Sequence, residues 1–484
     1  MRRLWKITIP IAVLLAPLAA CSGTESGAVQ SDTGAAADAT QSHEDYGFNE
    51  PTAPGDDAES TFALDVDTAS YAYARASLLE GSLPPADQIR PEEFVNSFDP
   101  GYEEPTGNGF AIVLDTEPLP EWYDSGDATE MMRVGLQTRS EPDTERADVN
   151  LTFVIDVSGS MEEDDRIGLV RDSLHTLVDS LRPEDSVAIV TYESDSAVLQ
   201  KMTDVGDGEE LHEAIDELEE GGSTNMQAGL EDGYELAADA YDAEKDNRVI
   251  LLSDGEANVG LTEHDAMLEE IGEEIAAGIT LLTVGVGDSY NQGLLEQLAD
   301  NGDGWAVYFA TEEEAEEVFS ERLTSTLGVT AREAKIQVTF NETTVAEYRL
   351  IGFENRDVAD EDFEDDSVDG GEVGPGHSVT ALYAVSLTGE AGQLAEVEVR
   401  WLDPETEEPD TAEAGLDAFT VTDSAAPSMD VAVLAAAFAE ALRGGADFDC
   451  GDLLAPAEDL AGTTDDPDVA ELAELIAIAA ELDA

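Results

Sequence analysis

Leu151-Thr152-Phe153-Val154-Ile155-Asp156-Val157-Ser158-Gly159-Ser160-Met161 is the stretch whose reading decides the fold. Its first five residues are a short apolar run, the pattern of a buried strand. Asp156, Ser158 and Ser160 follow at alternate positions, so a carboxylate and two hydroxyls crowd into one turn at the strand's end. An oxygen-rich turn of this kind suits a hard divalent cation, which takes oxygen ligands and tolerates open water positions. It offers neither the thiolates nor the imidazoles that a zinc or copper site draws on.

Outward from that turn, short apolar runs alternate with helical patterns. Strands are predicted at 151–155, 187–190, 249–252 and 279–284. Between them Ile167, Val170, Leu174, Val178 and Leu181 recur at three- and four-residue spacing, as do Leu211, Ile215 and Leu218, and Met267, Ile271 and Ile275. This rhythm predicts an α/β domain over 147–330, a doubly wound, mostly parallel sheet covered on both faces. Its binding site belongs at the carboxyl ends of the strands, at a topological switch point.

Two more loops share the character of the first. Gly221-Gly222-Ser223-Thr224-Asn225-Met226 presents a hydroxyl ahead of a helix, and Ser253-Asp254-Gly255-Glu256-Ala257-Asn258 places an aspartate just past a strand. One cation can be held by Asp156, Ser158, Ser160, Thr224 and Asp254: two carboxylates match a double charge, and hydroxyls complete the shell while leaving a position open. On these residues the domain resembles a von Willebrand factor type A domain, with Asp156-x-Ser158-x-Ser160, Thr224 and Asp254 at the positions of its metal-ion-dependent adhesion site. The resemblance implies a bound cation, Mg²⁺ first with Mn²⁺ or Ca²⁺ as alternatives, and a protein partner whose Asp or Glu meets it at the open position.

The flanks resemble those of a group of bacterial lipoproteins built on this domain. The N-terminal likeness lies in Leu64-Asp65-Val66-Asp67-Thr68-Ala69-Ser70-Tyr71 with Leu83-Pro84-Pro85. The C-terminal one lies in Tyr348-Arg349-Leu350-Ile351-Gly352-Phe353-Glu354-Asn355-Arg356 and Gly376-His377-Ser378-Val379-Thr380-Ala381-Leu382-Tyr383. Residues 61–146 read as a small α+β flanking region, with helices around Tyr71–Leu79 and after Pro91 and an extended stretch at 110–114. After residue 330 the rhythm changes to half-buried strands at 336–340 and 397–401, then Ala-rich helices at 429–442 and 468–482. That predicts a separate β-rich domain over 331–484 with a helical tail.

The N-terminus reads as a leader. Arg2, Arg3 and Lys6 precede an apolar run from Ile7 to Ala20, too short to span a bilayer as a helix. Leu18-Ala19-Ala20-Cys21 resembles a bacterial lipobox, in which residues 1–20 are removed and Cys21 carries lipid, anchoring the protein outside the bacterial membrane. Residues 21–60, rich in small and acidic residues without apolar periodicity, read as a flexible tether. With Cys21 acylated, Cys450 has no partner for a disulfide and reads as a small, partly buried apolar side chain.

Composition narrows the function further. In 484 residues there are 111 acidic and 21 basic side chains, a formal charge of −90, and four of the basic residues are lysine. Nucleic-acid binding needs clustered Lys and Arg to neutralise phosphates, and none is present. An apolar share of 42% is compatible with real cores, so the charge describes a solvated acidic surface and leaves the fold untouched. Other stretches carry rival patterns. Asp65-Val66-Asp67-Thr68 fits an aspartyl-phosphate phosphohydrolase, but only Phe62-Ala63-Leu64 precedes it as a strand, and a turn or cap aspartate is the expected use. Residues 365–372 begin like a calcium loop, yet the twelfth position is Gly376 where a glutamate is required. The five histidines show no ligand spacing, and no His or Lys lies near Ser158 in sequence to activate it. The expectation is a binding protein and not an enzyme, with an envelope scaffold containing a purely structural metal as the alternative.

Overall fold

The opening apolar run becomes β4 (Asp148–Asp156), the third strand of a six-stranded sheet. β5 (Ser186–Tyr192) and β7 (Lys245–Ser253) flank it in parallel. β8 (Ile279–Val286) and β9 (Ala306–Phe309) continue in parallel beyond β7, and β6 (Ser196–Asp204) closes the other edge antiparallel to β5. The chain runs from β4 to one side and returns to the other, so the order reverses at β4 and opens a crevice at its carboxyl end. The computed structural model from which this architecture is read describes residues 47–123, 126–141, 146–254, 264–287, 292–321, 327–366, 368–404, 406–417, 427–444 and 448–483. The leader expected at 1–20, Cys21, the tether up to residue 46 and the Gly255–Asn258 part of the third loop lie outside these residues.

Alternating residues of β4 feed two cores, as the period of two in a strand demands. Leu151, Phe153 and Ile155 pack with Ile167, Val170, Leu174 and Val178 of α3 (Arg166–Ser180) and with Leu211 and Ile215 of α4 (Glu209–Ile215). On the other face Val154 meets Met226, Leu230 and Tyr234 of α5 (Met226–Asp239), in a core that includes Met267 and Ile271 of α6 (His264–Ile275). Each such side chain taken fully from water contributes about 1.5–3 kcal/mol. α5 lies close to the sheet because it carries glycine where it crosses: a Cβ on Gly233 would sit 2.3 Å from Val154 Cγ2, and one on Gly229 2.5 Å from Tyr192 Cδ1.

Both flanks build one β-sandwich. Its first sheet runs β1 (Glu59–Ala63), β10 (Ala331–Phe340), β14 (Gln393–Leu402) and β15 (Pro409–Asp417), with β12 (Gly371–Val373) also paired to β10. The second runs β11 (Val345–Ile351), β13 (Ser378–Leu387), β3 (Glu130–Thr138) and β2 (Phe110–Pro118). The β-rich region expected from 331–484 is thus completed by strands from before the α/β domain. Ile336, Val338, Val397 and Val399 of one sheet and Val134, Leu136, Val379 and Tyr383 of the other share its core.

A fourth apolar cluster joins α1 (Ala69–Leu79) and α2 (Pro91–Asn96) to the C-terminal helices α9 (Pro427–Arg443), α10 (Leu454–Thr464) and α11 (Pro467–Asp483). Cys450 is buried in it, and burial pushes its thiol up to about 11. Among the described residues no helix is long and apolar enough to cross a membrane.

Candidate metal centre

Asp156 ends β4 and is fully buried. Its Oδ1 accepts the Ser158 backbone N–H at 2.8 Å, which bends the chain straight after the strand. Its Oδ2 accepts two hydroxyls, Ser253 at 2.8 Å and Tyr192 at 3.2 Å. Parallel register places these donors: Asp156 lies opposite Tyr192 at the end of β5, and Ile155 opposite Leu252, one residue before Ser253. Burial pushes the Asp156 carboxyl up to about 6; hydrogen bonds from Ser158 oppose this and the charge of Asp254 adds to it. Ser158 is buried and Ser160 half-buried, with their Oγ atoms 3.1 Å apart.

The second loop is strapped across the first. Gly221 N–H donates to Val157 O at 2.7 Å, and Gly159 N–H to Gly222 O at 3.3 Å. Gly222 has φ +81°, and a Cβ there would fall 1.9 Å from Glu193 Oε2, so the loop follows this course with glycine. Asn225 N–H donates to Glu193 O at 2.7 Å, and the Asn225 side chain caps α5 by accepting from Ala228 N–H at 3.4 Å. Thr224 is thereby buried two residues ahead of α5.

Asp254 follows β7 directly and is fully buried. Its Oδ2 accepts from Arg166 Nη1 at 3.1 Å, and the same nitrogen lies 3.5 Å from the Ser160 carbonyl. Arg166 crosses over Gly287, which has φ +87° and leaves 2.4 Å between an added Cβ and Arg166 Nε. The donor set here is carboxylate and hydroxyl oxygen from the turns after β4 and β7 and from the loop ahead of α5, with Asp156, Ser158, Thr224 and Asp254 themselves buried. It fits a hard divalent cation and not a soft one.

Tyr192, Ser253 and Arg166 were not singled out from sequence. Ser253 had a signal, since it precedes Asp254 at a strand's end; Tyr192 and Arg166 acquire their roles only from the packing of neighbouring elements.

The other candidates fall elsewhere. Asp65 Oδ1 accepts Asp67 N–H at 2.8 Å, a turn aspartate as expected, and Asp67 Oδ1 accepts Ala306 N–H at 3.0 Å. Both carboxylates are buried beside Arg356, at 3.3 Å and 3.8 Å, out of reach of a dissolved substrate. In the acidic stretch 365–372, the Asp365 carbonyl accepts from Lys335 Nζ at 2.7 Å and Asp366 pairs with Arg400 at 2.7 Å. Glu372 turns inward, where its carboxylate lies within 4.8 Å of those of Asp303 and Glu333. Burial, and then the Asp303 and Glu333 charges, hold the Glu372 carboxyl well above the usual carboxylate range. The histidines without sequence spacing include one spatial pair, His175 and His212.

The fold and this centre define a von Willebrand factor type A domain, and the family model of that description matches residues 150–321. Models described as "von Willebrand factor" and "Uncharacterized protein YfbK, C-terminal" match residues 37–126 and 325–482. The chain is 34% identical over 416 residues to the protein YfbK of Escherichia coli K12, covering 80% of this chain and 71% of that one. It belongs to the YfbK family of von Willebrand factor type A domain proteins. It is also 26% identical over 188 residues to the Synechocystis protein sll0103, covering 39% of this chain and 44% of that one. Human inter-alpha-trypsin inhibitor heavy chain H3 is 27% identical over 165 residues, 32% of this chain and 18% of that one. Among solved structures, a von Willebrand factor type A protein from Catenulispora acidiphila aligns over 73% of this chain and 87% of its own, with 16% identity and a TM-score of 0.47. Domains of this class commonly carry a metal-ion-dependent adhesion site and bind proteins through it.

Proposed function

We propose that this protein is exported, anchored by lipid on Cys21 to the outside of the bacterial membrane, and captures an acidic group of a protein partner through a divalent cation, Mg²⁺ foremost. Asp156, Ser158, Ser160, Thr224 and Asp254 would hold the cation, which supplies an open coordination position where a partner Asp or Glu replaces water. The observation that carries this reading is the convergence of three oxygen-bearing loops at the one end of the sheet where β4 marks the switch point.

The chain's own groups prepare that end. Tyr192 and Ser253 fix Asp156 Oδ2 from behind, and the Ser158 N–H fixes Oδ1, so the carboxylate is oriented without cost at the moment of binding. Arg166 orients Asp254 in the same way. Asp156, Ser158, Thr224 and Asp254 are buried, which strengthens any charge interaction they make. The acidic surface and the leader are consistent with an exterior location, and the role is coordination and not catalysis.

Cross-linking capture from the producing cell's surface, with and without chelator, tests the reading on the full chain and on Asp156→Ala. Expected is a partner recovered by the parent in Mg²⁺ and lost both in chelator and in the folded variant. Recovery of the same partner by Asp156→Ala, or in chelator, would overturn it. A scaffold with a structural metal would instead show Mg²⁺-dependent thermal stabilisation and no metal-dependent partner.

A further inference from the structure

His175 on α3 and His212 on α4 meet edge to edge, with Nδ1 atoms 2.7 Å apart, ring centroids 4.9 Å apart and planes 27° from parallel. The far nitrogen of each ring is backed by a carboxylate: His175 Nε2 lies 3.3 Å from Asp216, and His212 Nε2 lies 3.2 Å from Asp179. His212 Nε2 is hydrogen-bonded to Asp179, which leaves its Nδ1 as an acceptor when Nε2 carries the proton; the same tautomer at His175, beside Asp216, turns both Nδ1 atoms into acceptors. A 2.7 Å approach of two Nδ1 atoms is held either by a proton on one of them or by a cation that both face. A carboxylate behind an imidazole is also how proteins fix the tautomer and aim of a metal-ligating histidine.

We propose that His175 and His212 form a two-imidazole site for a transition-metal cation of the Zn²⁺, Ni²⁺ or Cu²⁺ class, completed by water and separate from the Asp156 centre. Imidazole nitrogen suits these ions and not Mg²⁺, so the two sites divide cations by hardness. A metal–nitrogen bond of about 2.0–2.1 Å sets two ligands of a tetrahedral shell ~3.3 Å apart, so the rings part by roughly 0.6 Å on binding. Both side chains are about a quarter exposed, at 28% and 29%, which leaves room for that rotation and for water ligands. At 2.7 Å the two Nδ1 atoms are spaced for a shared proton, whose place the metal would take. The bound ion would clamp the helix that follows the Asp156 loop to the helix that precedes the Thr224 loop.

The test is calorimetric titration of the full chain with Zn²⁺ in the Asp156→Ala background and excess Mg²⁺, which removes the other centre from the readout. Expected is one Zn²⁺ per chain, with affinity about tenfold or more weaker in each of His175→Ala and His212→Ala. Thermal unfolding in chelator should be unchanged by either substitution, and Zn²⁺ should raise the midpoint only where both histidines are present. Failure of the Asp156→Ala chain to bind Zn²⁺ would reduce the pair to a shared-proton contact and overturn the proposal. Equal Zn²⁺ binding in the double histidine variant would overturn it too, assigning the ion to another group such as Asp303, Glu333 and Glu372.

Discussion

Asp156 and Arg166 show how single residues set the centre. Asp156 receives three hydrogen bonds from Ser158, Tyr192 and Ser253, so its carboxylate is oriented by the protein itself. Arg166 brings a fixed positive charge to 3.1 Å from Asp254, one of the two aspartates proposed for the cation. Like charges at close range in a buried site oppose one another, so Arg166 competes with a divalent ion as well as orienting its ligand. Arg166→Met is expected to tighten Mg²⁺ binding severalfold, read by calorimetry; weaker binding would mean that orientation outweighs competition. At this scale the sequence was legible where chemistry is local. A carboxylate and hydroxyls at alternate positions after an apolar run announce an oxygen site by type and spacing. Arg166 belongs to it only because α3 and the end of β8 fold over Asp254, and His175 and His212 meet only because α3 and α4 pack together.

Among elements, α5 carries the strictest fit. It crosses β4 and β5 through Gly229 and Gly233, where an added Cβ would fall 2.5 Å from Tyr192 and 2.3 Å from Val154. Gly→Ala in a helix interior ordinarily gains roughly 0.5–1 kcal/mol. Here overpacking costs about 1–3 kcal/mol, so the sign reverses. Gly233→Ala is expected to lower the urea midpoint and, by lifting α5 off the sheet, to disturb the Thr224 loop at its start; a stabilised variant would contradict this packing. The central strands and helices were legible because buried parallel strands and amphipathic helices write different periods. Strand partners were not. β1 pairs with β10 across about 270 residues of chain, and alternation reports which face of a strand is buried but not which strand lies beside it.

Across the whole molecule, the flanks and the α/β domain meet at a buried acidic junction. Arg356 of the C-terminal flank reaches Asp300 of α7 (Gln292–Asp300) at 2.7 Å, and Asp65 and Asp67 of the N-terminal flank at 3.3 and 3.8 Å. Burial, reinforced by neighbouring Glu354 for Glu92 and by Glu296 for Asp300, and opposed by Arg356 at Asp300, pushes both carboxyls up to about 7. Asp67 and Glu93 are held well above the usual range, again by burial first and then by their acidic neighbours. Folded values above the unfolded ones of about 4 give stability that is complete below about pH 4 and lost as pH rises through 7. These groups therefore make the urea midpoint higher at about pH 5 than at about pH 8, and Asp67→Asn should flatten that slope. A midpoint that rises over the same interval would contradict the junction. The acidic composition was plain from the sequence, but the burial of several of these carboxylates between distant segments was not. For the metal centre itself, the most direct measurement is Mg²⁺ titration of the full chain by calorimetry beside Asp156→Ala, with folding of both verified by circular dichroism. One Mg²⁺ per chain, absent from the folded Asp156→Ala variant, is the expected result; equal Mg²⁺ binding by both proteins would contradict it.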